Sequence, residues 1–242
     1  DIEADDLHVV LHLARAGWIR WRESAPVSSG RPGKGPLAAR LVLDDGSGLD
    51  ITEAGTKKSL ALYLVRDPAE VPGIARLGPD PLTPEFTEDT LAGILATAGR
   101  AQIKGILRNQ AVVAGIGNAY SDEILHRARL SPVQLTTNLS AEEVARLHRA
   151  VRETLAEWTD RLRREAGDGF PEKVKAFHPE MAVHGRYGQP CPECGAPVQR
   201  IRYADNETNY CARCQTGGRL LADRAMSRLL KGDWPRSIDE LG

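Results

Sequence analysis

Apolar and polar positions alternate along the first third of the chain. Two stretches, residues 7–22 and 37–65, carry this alternation and are broken by the turn sequences DDGSG and EAGT. Alternation predicts antiparallel β-strands, because successive side chains of a strand point to opposite faces. The segment SAPVSSGRPGKGP between the two stretches is rich in Ser, Gly and Pro, and we expect a surface loop there.

The hydrophobic period changes to that of a helix after the proline-rich stretch LGPDPLTPEF, beginning with TEDTLAGILATAG. A longer helix is predicted from Ser140, because Glu143 completes a capping box with that serine. The apolar residues that follow fall on one face of this helix: Val144, Leu147, Val151, Leu155, Trp158 and Leu162. We therefore expect the helix to face a core, with Trp158 as a packing residue, and we expect loops over residues 166–190.

Four cysteines stand in two pairs with the spacing of a metal site. The pairs are CPEC at 191–194 and CARC at 211–214, so the ligands would be Cys191, Cys194, Cys211 and Cys214. Two such turns brought together by a hairpin would close a tetrahedral thiolate shell around one Zn²⁺, with no position left for water. This spacing predicts a structural zinc ion. Two disulfides, four unrelated thiols or an iron–sulfur cluster are the alternatives.

The residues between the cysteine pairs, GAPVQRIRYADNETNY, predict a strand, a turn and a second strand. Arg200 and Arg202 would lie on one face of the first strand. A guanidinium matches the geometry of phosphate oxygens, so these side chains suit phosphate contacts. A solvated edge strand explains the same residues equally well.

Two glycines and an asparagine interrupt a helical pattern in VVAGIGNAYSDEIL, residues 112–125. Both flanking segments have helical periodicity, so the interruption predicts a turn between two helices. Gly115 and Gly117 would remove side-chain bulk, so that backbone N–H groups and the Asn118 amide could face an anion. Lys104 on the preceding helix would add a positive charge. An ordinary connection between two helices is the alternative.

Composition and charge give little information about which kind of molecule the protein binds. The net charge of the 242 residues is −1, but residues 1–98 hold 10 basic and 15 acidic side chains while residues 99–190 hold 14 and 11. This asymmetry is compatible with a polyanion partner for the later segments, or with a solvated mixed surface. No apolar run reaches the length of a membrane helix and the first residues do not resemble a signal peptide, so we expect a cytoplasmic protein, associated with the nucleoid if it binds DNA. We expect a monomer.

The helical turn and the cysteine pairs together resemble the formamidopyrimidine-DNA glycosylase/endonuclease VIII family. IKGILRNQAVVAGIGNAYSDEILHRARLSP is similar to its helix-two-turn-helix segment, CPEC…NYCARCQ to its zinc finger, and RLGPDPL to its interdomain linker. The resemblance implies that Asn118, Lys104 and the Gly115–Gly117 turn grip phosphates beside a lesion in duplex DNA. It implies a DNA glycosylase and abasic-site lyase of base excision repair, with damaged or abasic duplex as partner.

The chain departs from the family pattern at several positions. The N-terminal Pro-Glu and the later lyase Lys are not found, and we expect that about 60 residues are missing before Asp1, leaving no catalytic residue in this chain. Arg15 replaces an apolar wedge residue, and Lys57-Lys58-Ser59 replace an Arg-Arg-Phe. Asn206 stands where the family finger carries an arginine, for which Arg200 or Arg202 would compensate. A non-catalytic binder of damaged or distorted DNA is therefore the rival hypothesis. A zinc-containing RNA-binding protein is less favoured, because only 5% of the residues are aromatic.

We predict an α+β protein in which a partial N-terminal antiparallel β-sandwich precedes a helix-two-turn-helix domain and a C-terminal four-cysteine zinc-finger hairpin. The predicted boundaries are 1–78 for the sandwich, 79–86 for a linker, 87–184 for the helical domain, 185–232 for the finger and 233–242 for a tail. The predicted DNA-binding residues are Lys57, Lys58, Lys104, Gly115, Gly117, Asn118, Arg200, Arg202 and Asn206.

Overall fold

The structure is a computed structural model that describes residues 1–14, 17–26, 35–54, 56, 58–171, 177–203, 206–221 and 235–241. The chain divides into two compact units. The first comprises Asp1–Arg76 and Leu162–Lys175, and the second comprises Leu77–Arg161 and Ala176–Gly242. Arg15 and Lys57, singled out in the sequence, lie outside the described residues.

The first unit contains two antiparallel sheets of three strands, as the alternating pattern predicts. One has the order β1-β2-β6, formed by Ile2–Ala4, Leu7–His12 and Ala61–Val65. The other has the order β3-β5-β4, formed by Gly17–Arg22, Gly48–Glu53 and Leu37–Val42. The short strand β1 was not predicted, because three residues carry too little alternation to be recognised.

A buried carboxylate ties the three strands of the second sheet together. Asp50 on the central strand is 3% exposed, accepts a hydrogen bond from Arg22 Nε at 2.8 Å and one from Arg40 Nε at 2.5 Å. The hydrogen bond from Arg40 is the main reason that the pKa of Asp50 lies below its ordinary value. The carboxylate therefore stays ionised and links β5 to both neighbouring strands.

Four helices surround one apolar core in the second unit, and the last residues of the fourth helix, from Leu162 onward, belong to the first unit. The helices are α1 (Glu88–Thr97), α2 (Ile103–Leu107), α3 (Asn118–Arg127) and α4 (Ala141–Ala166). The predicted capping box is present, since Ser140 Oγ accepts from the backbone N–H of Glu143 and Glu143 Oε2 accepts from that of Ser140. The predicted core face of α4 is confirmed through Leu147, Val151 and Trp158, which are all buried. Within the described residues, no helix has the length and apolar character needed to cross a membrane.

The linker sequence is bound to the helices. The Gly78 N–H donates to the Gln110 carbonyl at 2.8 Å, and Arg152 Nη1 donates to the carbonyls of Pro81 and Thr83 at 3.0 and 2.6 Å. A Cβ atom at Gly78 would lie 2.4 Å from the carbonyl carbon of Val112. A glycine is therefore needed where the linker passes the loop before α3.

A β-hairpin follows the helices. Strands β7 (Gln199–Tyr203) and β8 (Asn206–Tyr210) are antiparallel, with Arg202 opposite Glu207, and the short helix α5 (Ala212–Thr216) follows them. The residues before and after the hairpin form an apolar cluster that includes Val183, Cys191 and Val198, and Tyr210 at the end of β8 is buried in a second cluster. The Tyr210 hydroxyl accepts from the Leu221 N–H at 2.7 Å, and burial raises the pKa of this tyrosine to about 12.

Candidate nucleic-acid interface and metal centre

The four cysteine sulfurs converge on one point. All four Sγ atoms lie within 4.8 Å of one another, with 3.9 Å between Cys191 and Cys214 and 3.4 Å between Cys194 and Cys211. A tetrahedral zinc ion with bonds of about 2.3 Å separates its sulfur ligands by about 3.8 Å, so the observed spacing fits that ion. The four thiolates would complete the shell, and the site is a structural zinc site.

Neighbouring groups support the metal centre. The His126 ring nitrogen Nε2 lies 3.3 Å from Cys191 Sγ, in the position of an outer-shell partner that orients a metal ligand. Burial is the main reason that the pKa of the Cys211 thiol rises to about 11, and burial also raises the pKa of the Cys214 thiol. These thiols are therefore protonated at neutral pH when no metal is bound, and zinc must displace their protons.

The glycine turn is built by a side chain that the sequence analysis missed. Gln110 Oε1 accepts from the Gly115 N–H at 2.9 Å, and Gln110 Nε2 donates to the Ile116 carbonyl at 2.7 Å. Gly115 has φ +80°, a left-handed conformation that favours glycine. Ile116 is fully buried in the helical core, so the turn is anchored from below while Gly115 and Gly117 remain exposed.

The first turn of α3 lies beside the hairpin, and its backbone N–H groups have no hydrogen-bond partner among the described residues. Its N-cap is Gly117, and no side chain of the described residues caps this end. Asn118 Nδ2 donates to the Glu207 carbonyl on β8 at 2.8 Å. The buried Asn118 Oδ1 has no hydrogen-bond partner among the described residues. The glycine-opened helix start and the hairpin therefore lie side by side in the fold.

Lys104 lies beneath this surface and is paired. Its ammonium donates to Asp122 Oδ1 at 2.5 Å and to Thr208 Oγ1 at 2.9 Å, and the residue is 6% exposed. Burial is the main cause that lowers the pKa of Lys104, while the Asp122 carboxylate opposes this shift. The predicted free phosphate ligand is thus a largely buried cation that joins α2, α3 and β8.

Asp122 and Glu123 connect α3 to the finger through buried hydrogen bonds. Asp122 Oδ2 lies 2.9 Å from His184 Nδ1 and accepts from the Asn209 N–H at 3.1 Å. The Glu123 carboxylate accepts from three consecutive backbone N–H groups, those of residues 182–184. In the sequence these residues appear only as two adjacent acids within a predicted helix, a pattern that does not distinguish a buried carboxylate from an exposed one.

Arg200 and Arg202 share one face of β7, as predicted, and both face a carboxylate. Glu207 Oε2 lies 3.0 Å from Arg202 Nε and 3.7 Å from Arg200 Nη1. The Arg200 guanidinium also stacks on the Tyr187 ring at 4.0 Å. Burial by itself would raise the pKa of Glu207, but the hydrogen bonds from Asn209 and Arg202 hold it below its ordinary value. The two arginines are therefore partly neutralised.

Two further predicted residues have different surroundings. Asn206 is exposed at the start of β8, and its Oδ1 accepts from Arg108 Nη2 at 3.0 Å. Arg108, at the end of α2, was not singled out in the sequence. Lys58 belongs to the first unit, where its ammonium donates to the Glu53 carbonyl. The turn, Asn118, Lys104 and the hairpin residues thus lie together in the second unit, and Lys58 belongs to a different unit.

These observations define a class: a protein in which a four-thiolate zinc finger is hydrogen-bonded to a pair of helices joined by a glycine turn. Residues 77–162 match the formamidopyrimidine-DNA glycosylase H2TH domain, and residues 188–217 match the zinc finger found in FPG and IleRS.

The chain belongs to the formamidopyrimidine-DNA glycosylase family. It is 34% identical to the Deinococcus radiodurans formamidopyrimidine-DNA glycosylase over 88% of this chain and 73% of that protein. It is 45% identical to an uncharacterized formamidopyrimidine-DNA glycosylase-like protein of Mycobacterium tuberculosis, over 67% of this chain and 99% of that protein.

Solved structures agree with the sequence relatives. The crystal structure of MutM (Fpg) from Thermus thermophilus has a TM-score of 0.68 at 34% identity, covering 87% of this chain and 76% of that one. The complex of Lactococcus lactis Fpg with DNA containing an abasic site has a TM-score of 0.70 at 26% identity, covering 88% and 76%.

Proposed function

We propose that this protein acts in base excision repair as a member of the DNA glycosylase and abasic-site lyase family, and that it grips duplex DNA containing a damaged or abasic nucleotide. The grip would be made by the turn before α3 and by the zinc-held hairpin. The protein would act as a monomer in the cytoplasm, at the nucleoid. The solved complex of a relative with abasic DNA supports this choice of partner.

The hydrogen bond from Asn118 to the Glu207 carbonyl carries the proposal. It joins the start of α3 to the hairpin, so that the unpaired N–H groups of α3 and the basic residues beside the hairpin share one surface. A helix N-terminus with free N–H groups binds an anion through its donors and its dipole. A DNA strand supplies a row of such anions, which a shared surface can contact in sequence.

The turn suits a close approach of the DNA backbone. Neither Gly115 nor Gly117 has a heavy atom within 4 Å of the position that a Cβ would occupy, beyond its chain neighbours. Gly117 has φ −97°, an ordinary conformation for any residue. The fold does not require glycine at position 117. The missing side chain there would instead leave room for the DNA backbone to come close to the start of α3.

Binding of duplex DNA tests the proposed contacts between the protein and the phosphate backbone. Fluorescence anisotropy with a short duplex carrying a stable abasic-site analogue should show binding that weakens steeply between about 50 and 200 mM salt, because phosphate contacts release counterions. An undamaged duplex of the same sequence is the matched control and should bind more weakly. Salt-independent affinity, or no binding of either duplex at low salt, would contradict the proposal.

The chemical step is tested separately. In the family that the chain resembles, an N-terminal proline amine attacks the sugar and forms a Schiff base, which borohydride traps as a covalent adduct. We expect a chain of this protein that begins Met-Pro-Glu to be trapped on duplex DNA that contains an abasic site.

One observation favours the alternative, a non-catalytic binder of distorted DNA. Asn206 replaces the finger arginine, and its side chain binds Arg108. A chain that begins Met-Pro-Glu, binds abasic duplex tightly and yields no borohydride adduct would select this alternative over the enzyme.

A further inference from the structure

A groove of about 460 Å³ separates α2 from the hairpin. Its walls combine cationic and hydroxyl groups with an apolar floor: Lys104, Arg108, Arg202, Thr208, Val133 and Ile201. Among the described residues that line it, none carries a carboxylate. A concave surface lined by cations attracts an anion, and the apolar residues beside them lower the local dielectric and strengthen that attraction.

Arg108 is the cation of this groove that has no ion pair. No carboxylate of the described residues lies within ion-pair distance of it, whereas Arg202 faces Glu207 and Lys104 faces Asp122. One N–H group of Arg108 is used to bind Asn206 Oδ1, which leaves the rest of the guanidinium fork for a ligand. Lys104 uses two of its three N–H groups for Asp122 and Thr208, so one donor remains without an acceptor among the described residues.

We propose that this groove is a phosphate-binding subsite for the DNA backbone, in which Arg108 contacts the phosphate and Asn206 positions Arg108. The inference rests on the proposed function and extends it to Arg108, which the sequence analysis did not assign. The proposal gives Asn206 a role. Its amide oxygen holds the guanidinium of Arg108, which comes from the end of α2, whereas the family has an arginine in the finger itself. Asn206 is a positioning residue in this arrangement.

The experiment compares Arg108→Gln with Arg149→Gln in the full chain. Arg149 is exposed on α4 and is not among the residues of the groove, so its substitution removes the same charge elsewhere in the same unit. For Arg108→Gln we expect the affinity for abasic-analogue duplex to fall on the order of tenfold and the slope of log K against log salt to become shallower by about 0.9, the loss of one phosphate contact. Arg149→Gln should change neither quantity by a comparable amount. Equal zinc content and unchanged melting temperature establish that each variant is folded.

The two proposals fail in different ways. If the unsubstituted protein binds no duplex, the proposed function itself is wrong. If it binds with a normal salt slope and Arg108→Gln behaves like Arg149→Gln, the groove proposal alone is wrong. Calorimetry with inorganic phosphate tests whether the groove binds free phosphate instead. The assignment to DNA would also be wrong if Arg108→Gln abolished binding of inorganic phosphate but did not affect binding of the duplex.

A double-mutant cycle tests the positioning role of Asn206. Asn206→Ala should weaken duplex binding several-fold with little change in the salt slope, because the charge of Arg108 remains while its orientation is lost. In the Arg108→Gln background the same substitution should have no further effect. Additive effects of the two substitutions would contradict the pairing.

Discussion

Gly115 and Gly117 are two residues apart, but different physical requirements explain them. Gly115 adopts φ +80°, where an L side chain is strained, so the turn itself requires glycine there. Gly117 adopts an ordinary conformation with open space above it, so the fold would accept alanine. The second glycine is therefore the more informative one about function.

Alanine substitutions should separate these roles. Gly115→Ala should lower the free energy of unfolding by about 1–2 kcal/mol, because it forces a left-handed conformation on a residue with a Cβ. Gly117→Ala should leave that free energy unchanged within about 0.5 kcal/mol. It should nevertheless weaken duplex binding by about tenfold, because its Cβ would stand between the helix start and the phosphate. Urea unfolding and anisotropy measure the two effects, and intact DNA affinity in Gly117→Ala would remove the argument for close approach.

At the scale of elements, buried charges on α3 hold the helices and the finger together. Lys104 from α2, His184 from the loop before the finger and the Asn209 N–H from β8 all meet the carboxylate of Asp122. A buried pair costs desolvation, so it fixes the arrangement of elements more than it adds stability. Its loss should therefore affect binding as well as folding.

Replacing Asp122 alone should lower the free energy of unfolding much more than replacing both Asp122 and Lys104. Asp122→Asn leaves the Lys104 ammonium buried without its counter-ion, and we expect a loss of about 3–5 kcal/mol in the free energy of unfolding. Lys104→Met combined with Asp122→Asn should recover much of this stability, since no uncompensated charge remains. Denaturant titration of the unsubstituted protein and of the two variants measures the difference, and equal stability of the single and double variants would show that the ammonium is not the source of the penalty.

The hairpin should depend on zinc for its structure. The finger core around Val183 and Val198 includes the ligands Cys191 and Cys211, so the metal and the core are one cluster. Removal of zinc with a chelator should unfold the finger and abolish duplex binding, because Asn118 loses its partner on β8. Circular dichroism and anisotropy follow both changes, and zinc replacement should restore them. The four helices have their own core and should keep their helical signal.

At the scale of the whole molecule, the three hydrophobic clusters of the described residues all lie within residues 86–238. The first unit has few fully buried apolar residues among those described, with Ile51 at 0% and Val10 at 6% exposure. The second unit thus contains most of the buried core.

A polypeptide of residues 77–242 should fold, bind zinc and retain salt-dependent binding of duplex DNA. The three hydrophobic clusters of the described residues belong to it, and so do the proposed phosphate contacts. Cooperative thermal unfolding, zinc content and anisotropy test this prediction. An unfolded or zinc-free product would show that the first unit is needed for folding of the second.

Local patterns were sufficient to predict much of the fold. The alternating strands, the capping box at Ser140 and Glu143, the core face of α4 and the metal spacing of the cysteines each depend on residues close in sequence, whose geometry is fixed by backbone periodicity. The partners of the candidate site were not predictable in this way. Arg108 and Asn206 are far apart in the chain, as are Lys104 and Thr208, and no local pattern indicates that they meet.

The sequence by itself determined the classes of element, the zinc ligands and the open turn before α3, because these follow from short-range spacing and from the chemistry of Gly and Cys. Only the tertiary structure decided which charges are free and which are neutralised. It paired Lys104 with Asp122 and both hairpin arginines with Glu207, and it left Arg108 without a carboxylate among the described residues. Charge pairing depends on distances of a few ångströms between segments, and those distances are set by packing.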